Sequence, residues 1–265
     1  MQNIKDSKVS SSDAAVNTQL WRLNHDSMTW QDVTLENIET TSGVAVESKK
    51  EVTISNLQWK GTNIFRKTIL NLVGDQVVVK DSALVELQID PTQSEVLFQS
   101  KAHVFDGSSF SLEGTTMTNI KDLDLIDEEN KAPETQISQL WKVEHDSVKL
   151  DQLTIKTIEV ASGIMVVSKS SLVCSEVTID NAGVENEFRK GILDMKSNNA
   201  VVKNSVIQNI KIDPVGQEQI LSFVGETIGD SSLELESVQI MSIEDVKLAS
   251  STDEVNTHLL KAESN

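Results

Sequence analysis

The phrase QLWRLNHDS at residues 19–27 returns as QLWKVEHDS at residues 139–147, 120 residues later. At the same offset, TSGVAVESK (41–49) returns as ASGIMVVSK (161–169). Three further pairs stand 123 apart: Phe65-Arg66-Lys67 with Phe188-Arg189-Lys190, Val78-Val79-Lys80 with Val201-Val202-Lys203, and Ile89-Asp90-Pro91 with Ile212-Asp213-Pro214. A third copy opens near the end, where VNTHLLKAE (255–263) echoes VNTQLWRLN (16–24). Units that recur at a fixed period bury little alone and are stabilised by stacking on their neighbours, so the period constrains architecture before any local propensity does. The chain divides into a polar, Ser-rich leader (1–16), a first copy (18–135), a second copy (136–250) and the start of a third (253–265).

A finer period lies inside each copy. Alternating runs DVTLENI, EVTISNL, QVVVKDS and FSLEGTT in the first copy match QLTIKTI, EVTIDNA, AVVKNSV and LELESVQI in the second. Apolar residues at i and i+2, rich in Val, Ile and Thr, predict strands with one buried face. Asn, Asp, Ser or Thr often follows, and those residues close turns and tolerate left-handed backbone. A second strand family opens each unit: QLWRL, GVAVES, TILNL and EVLFQS, then QLWKV, GIMVVS, ILDMKS and ILSFVG. Most units run 24 to 28 residues, four to a copy, giving eight and the stub of a ninth. The fourth of each copy is swollen, by the acidic loop at 122–135 and by its counterpart at 248–256.

A unit of this length with two or three short strands is a rung of a coil, each rung pairing in parallel with the next. The phrases SGVAVESKKEVTISN, SGIMVVSKSSLVCSEVTIDN and ILDMKSNNAVVKNSVIQNI resemble the right-handed parallel β-helix of the pectin-lyase-like superfamily. The resemblance covers most of residues 18–250 and implies an all-β solenoid of about eight rungs. That fold hosts lyases, hydrolases, adhesins and tail fibres, so architecture alone leaves the activity open. The pattern here resembles the non-enzymatic fibrous or surface type, which implies an extracellular or cell-surface setting. Two tandem β-sandwiches are the competing reading, but their turns fall every 8–12 residues or so and rung-to-rung similarity is not expected of them. A leucine-rich repeat would need its L-x-x-L-x-L-x-x-N phrase, which is absent, and the period of two excludes helical repeats.

Composition narrows the partners. A net charge of −18 and pI ≈ 4.6 disfavour nucleic acid and anionic membrane surfaces, which require clustered Lys and Arg. The single cysteine, Cys174, permits no intrachain disulfide and no Cys-rich zinc site, and reads as a small packing residue. No apolar run approaches the roughly 20 residues that span a bilayer, and the first residues have no apolar core of the kind found in a signal peptide. Tyrosine is absent and aromatic content is 4%, which leaves little to line a carbohydrate or nucleotide cleft.

Four groups of residues are candidate sites. Asp122, Asp124, Asp127 and Glu128, with Glu129, form an acidic loop of hard oxygen ligands suited to calcium, without the D-x-[DN]-x-[DN]-G phrase of an EF-hand. His25 and His145 stand in matching HDS strings. Adjacent residues of a strand point to opposite faces, so HDS is no catalytic triad and reads as a turn capped by Asp26 and Asp146, with a local histidine hydrogen bond. With Leu20 and Leu140 inward, Trp21 and Trp141 are expected outward, as loop-covered residues or a contact surface. Arg66-Lys67 and Arg189-Lys190 are a repeated basic pair, expected to neutralise acids such as Glu51 or Glu185 or to dock an acidic edge. Outward strand positions carry both charge signs: Glu36, Ser55, Lys80, Glu113, Lys156, Asp180, Lys203 and Glu236. No catalytic constellation of the resembled superfamily maps onto them, and no cofactor other than calcium is implied.

A coil of this kind has two open ends, and no amphipathic capping helix is legible at either. The expected function is a structural repeat of a fibrous, surface or matrix protein whose partner is itself, head to tail, or flanking copies of the repeat. The alternatives are a glycan- or protein-binding module and, less favoured by the residues, a polysaccharide lyase or hydrolase.

Overall fold

In a strand, successive side chains face opposite sides, so the alternating Val, Ile and Leu of this chain send one face of every strand inward. The computed structural model describes residues 2–5, 18–91, 94–126, 138–184, 188–213, 218–225, 231–245 and 257–264. Its architecture is all-β and parallel: a ten-stranded and a fifteen-stranded sheet wrap into a nearly closed, solenoid-like barrel. Among the described residues one helical turn, Leu123–Ile126, interrupts the strands.

The strands form three columns. In the first, Gln19–Gln31 pairs with Ser42–Ser55, then follow Leu70–Val73, Glu95–Lys101, Ser138–Glu144, Ser162–Val167, Leu193–Lys196, Glu218–Gly225 and Thr257–Ser264. The second contains Gln76–Lys80, Ser109–Glu113, Ser147–Asp151, Ser171–Ser175, Asn199–Lys203 and Ser232–Glu236. Ser42–Ser55 joins these columns, its first half pairing with Leu70–Val73 and its second with Gln76–Lys80. The third column is the ten-stranded sheet, from Gln2–Lys5 through Thr34–Thr40 to Gln239–Asp245. The strand Gln2–Lys5 lies inside the expected leader, of which residue 1 and residues 6–16 are outside the described set.

Register makes the core continuous. Along the first column the paired positions run Trp21, Val44, Leu70, Phe98, Trp141, Ile164, Leu193, Leu221 and Leu260. From Val44 to Leu221 these residues are buried in one hydrophobic cluster. Each fully buried Leu or Ile in such a stack contributes about 1.5–3 kcal/mol relative to exposure. Gly43 and Gly163, 120 residues apart in the repeat, stand where an added Cβ would collide with the backbone carbonyls of Ile69 and Ile192. The next turn approaches too closely there for any side chain.

Two left-handed bends recur along the solenoid-like stack. Between the second and third columns stands a left-handed residue in each turn: Asp32, Asn56, Asp81, Gly114, Gln152, Glu176, Asn204 and Ser237, all with φ of 48° to 56°. Left-handed backbone costs a non-glycine residue roughly 1–2 kcal/mol, least for Asn and Asp. The corners from Asp32 to Asn204 keep their N–H in the ladder, as when Asn56 donates to Lys80 (3.1 Å) and Asn204 to Glu236 (2.9 Å). The second bend lies within the third column at Asn37, Glu86, Asn119, Thr157, Asn209 and Ser242. It resets the alternation, so inward residues fall three apart: Leu35 and Ile38, Leu84 and Leu87, Ile207 and Ile210.

Candidate functional site

At the corner between the first and second columns, small and polar residues replace the aliphatic stack: Ser48, Gly74, Ala102, His145, Ser168 and Ser197. Burial there demands hydrogen bonds, and the serines supply them along the stack. The Ser168 hydroxyl donates to Ser197 Oγ (2.8 Å), and Ser48 Oγ lies within bonding distance of the carbonyls of Asp26 (2.9 Å) and Glu51 (2.8 Å). His145 is 0% exposed, and its Nε2 bonds to Ser100 Oγ at 2.9 Å. Its Nδ1 has no hydrogen-bond partner among the described residues. Burial lowers its pKa to about 4, against weaker opposing pulls from Asp75 and Glu144. The expected local histidine bond is therefore replaced by one to the preceding turn. His25, in the matching string, is exposed.

Asp146 does act as a turn cap, but for the neighbouring turns. It accepts from Ser170 Oγ (2.6 Å) and from the Gly107 N–H (2.8 Å), and these bonds hold its carboxyl below the usual range. Gly107 belongs to a loop, residues 102–108, that projects from the corner. Asp75 anchors the loop by accepting the N–H groups of His103 (3.1 Å) and Val104 (2.8 Å), and Asp106 pairs with Lys169 at 2.8 Å. Val104 at its tip is 60% exposed.

Beside the loop, the outer face of the second column carries a shallow groove of about 290 Å³ lined by Ser109, Ser111, Ser147, Ser171, Val173 and Lys149. Lys149 Nζ stands 3.1 Å from both Glu113 Oε1 and Asp151 Oδ2. The Ser111 hydroxyl, then Lys149, holds Glu113 low, and Ser175, then Lys149, does the same for Asp151. A general acid needs a raised pKa, so this trio is arranged as an ion pair network. The outward positions read from the sequence divide between two columns. Ser55, Lys80, Glu113, Lys203 and Glu236 end strands of the second, while Glu36, Lys156 and Asp180 lie on the third.

The tryptophans face the other way from expectation. Trp141 is 1% exposed and packs its ring 5.1 Å from Phe98 and 5.9 Å from Phe110. Leu140, the neighbouring residue of the same strand, is buried too. Trp21 is half-buried against the core, its ring edge-on to Trp30 at 5.3 Å. Neither residue forms a free outer surface of the coil.

The basic pairs couple consecutive turns. Arg66 and Lys67 both donate backbone N–H groups to the Thr41 carbonyl, as Arg189 and Lys190 do to Ala161. Arg66 Nε lies 3.8 Å from Asp90 Oδ2, so FRK meets the IDP phrase of the next turn. Glu51 instead accepts Thr53 Oγ1 at 2.9 Å, and Glu185 is outside the described residues. Arg189 is 3% exposed, which removes it from any contact surface.

The acidic loop is only partly described. Asp122 is buried, in register with inward-facing Ile89, and is not presented to solvent as a ligand. Asp124 lies on the helical turn, and Asp127 and Glu128 are outside the described residues. Among the described residues no three His, Cys, Asp or Glu side chains gather as a metal site. No described helix is long and apolar enough to cross a membrane. Two asparagines have a role that sequence reasoning missed. Asn63 Oδ1 accepts the Ile38 N–H (2.8 Å), and Asn181 Oδ1 accepts that of Ile158 (2.6 Å) while its Nδ2 donates to the Ile158 carbonyl (2.7 Å). Each secures the strand beside the left-handed bend; the two asparagines stand 118 residues apart, off the 120-residue offset of Ile38 and Ile158, so the repeat does not align them. Comparison with protein families, with characterised proteins and with solved structures finds no match to this chain.

Proposed function

We propose that the chain is a right-handed parallel β-helix of eight turns that serves as a structural segment, a spacer rod of a fibrous, surface or matrix protein. Right-handed connection is the rule for parallel crossovers in about 98% of cases. The observation that carries the structural reading is the unbroken register from Trp21 to Leu260, which repeats one phrase at both ends of a continuous core. Stacking units of this kind give length and stiffness rather than a cleft. Ion pairs on the flanks link neighbouring turns, as Lys121 with Glu159 at 2.6 Å, and the remaining negative charge opposes side-by-side aggregation. Electron microscopy of the purified chain at several concentrations tests the reading. Uniform rods, lengthening into filaments as concentration rises, support it, and compact particles without an axial repeat refute it.

A second reading is a glycan- or protein-binding module, favoured by the projecting loop at residues 102–108 and the serine-lined groove beside it. A glycan array probed with the chain and with a Lys149→Ala variant separates the two.

A further inference from the structure

The phrase that opens each copy shows what binds on each of its two sides. Ser138–Glu144 lies between Glu95–Lys101 and Ser162–Val167. Gln19–Gln31 has the equivalent of the second neighbour, Ser42–Ser55, and among the described residues no strand on its other side. Thr257–Ser264 has the equivalent of the first neighbour, Glu218–Gly225, with Leu221 opposite Leu260 as Phe98 is opposite Trp141. Its outer side bears no strand among the described residues, and Leu259 and Leu260 are 56% and 42% exposed.

The third column ends in a complementary way. The tetrapeptide QNIK occurs at residues 2–5 and again at 208–211. Residues 208–211 lie against Gln239–Asp245, with Ile210 opposite Ile243 and Lys211 opposite Glu244. Residues 2–5 lie against Thr34–Thr40 in the same phase, Ile4 opposite Ile38 and Lys5 opposite Glu39. Gln239–Asp245 thus already accepts one QNIK strand, and among the described residues no strand lies on its other edge.

We propose that this chain joins a second copy of itself through one shared turn. One copy supplies Thr257–Ser264 as the first-column strand of that turn, and the next copy supplies Gln2–Lys5 as the third-column strand. The inference rests on the structural reading above and specifies its interface. Across the junction Leu260 meets Trp21 of the next copy. The third-column register runs Ile210, Ile243, Ile4, Ile38, and beside it Lys211, Glu244, Lys5, Glu39, so that basic and acidic positions alternate through the joint. One like-charged meeting, Lys261 with Arg22, is relieved by Glu263, which pairs with Lys261 at 2.9 Å. The second column receives no strand in the shared turn, so Ser232–Glu236 and residues 27–31 of the next copy stand two strand spacings apart, about 9.6 Å.

Engineered cysteines read this arrangement directly. Neighbouring strands place paired Cα atoms about 4.8 Å apart, within the roughly 4.4–6.8 Å that a disulfide spans. Three double variants of the full chain are oxidised mildly and run without reductant: His258→Cys with Gln19→Cys, Glu244→Cys with Lys5→Cys, and Gln31→Cys with Glu236→Cys. Native Cys174 is buried and stays out of the reaction. The shared turn predicts ladders of dimers and higher multiples for the first two variants and none for the third. A ladder from the third pair without the first two means that copies stack with their terminal strands displaced, which overturns the shared turn and leaves the structural reading standing. Cross-linking by only one of the first two pairs also overturns it. No ladder from any pair, with only the 29.2 kDa species in sedimentation, overturns both the junction and filament growth.

Discussion

Acidification should weaken the fold through His145, and the size of the effect follows from its surroundings. The imidazole is fully buried against Ser100 and Phe110, and its pKa falls from 6.5 to about 4. Because the folded state resists protonation, the unfolded chain binds the extra proton between those values. Stability is therefore complete above pH 6.5 and declines as pH falls towards 4, by up to about 1.4 kcal/mol per unit and about 3 kcal/mol in all. Many carboxylates titrate near the lower end of that window, so the assay compares urea unfolding of the wild type with His145→Gln at pH 7.5, 6.5, 5.5 and 4.5. The wild type should lose about 2.5 kcal/mol more than the variant across the series. Parallel curves for the two proteins would refute the reasoning, since they would mean that the imidazole gains a proton in the folded state as easily as in the unfolded one.

Gly163→Ala should destabilise by about 1–3 kcal/mol in chemical denaturation, because the Cβ meets the Ile192 carbonyl. A gain in stability, the usual result of removing glycine flexibility, would contradict the close approach. Trp141→Ala should cost about 3–5 kcal/mol, and Trp21→Ala, at a half-buried site, clearly less; equal losses would contradict the burial difference. Asn181→Ala should cost about 1–3 kcal/mol by stranding the Ile158 N–H and carbonyl, measured by the same unfolding series. Cys174, its pKa raised to about 12 by complete burial, should react with a thiol reagent only after denaturation, and prompt labelling of the native chain would refute its placement.

Parallel stacking was legible because Val, Ile and Leu recur with a period of two inside a period of some two dozen residues, and both follow from elementary strand geometry. The direction of Trp141 was not. Strict alternation from Leu140 sends it outward, yet both residues are enclosed, as are the adjacent pairs Ile69 and Leu70, Leu97 and Phe98, and Ile220 and Leu221 in the same column. The bend within the third column was hidden for a related reason. Left-handed residues at Glu86 and Thr157 are chemically ordinary, and only the spacing of Leu84 to Leu87 or Ile155 to Ile158 betrays the break in alternation. Of the asparagines in the runs EVTISNL, EVTIDNA and AVVKNSV, Asn56 and Asn204 take the expected left-handed backbone. Asn181 instead spends its side chain on the turn before it. The bond from His145 to Ser100 spans 45 residues, beyond what a nine-residue phrase conveys.

The parallel ladder also fixes how the protein answers to force. Its backbone hydrogen bonds run along the stack, and the strands Gln2–Lys5 and Thr257–Ser264 occupy opposite ends of it. Tension applied between those ends loads the turns in series and opens each ladder bond by bond, as a zipper opens, rather than shearing a whole strand at once. A turn such as that from Leu70 to Phe98 stores 28 residues, enough to release about 95 Å of extended chain. Folded, the same turn advances the stack by only about 4.8 Å. Pulled lengthwise, the coil would yield in steps of one turn at low force and take up extension many times its resting length.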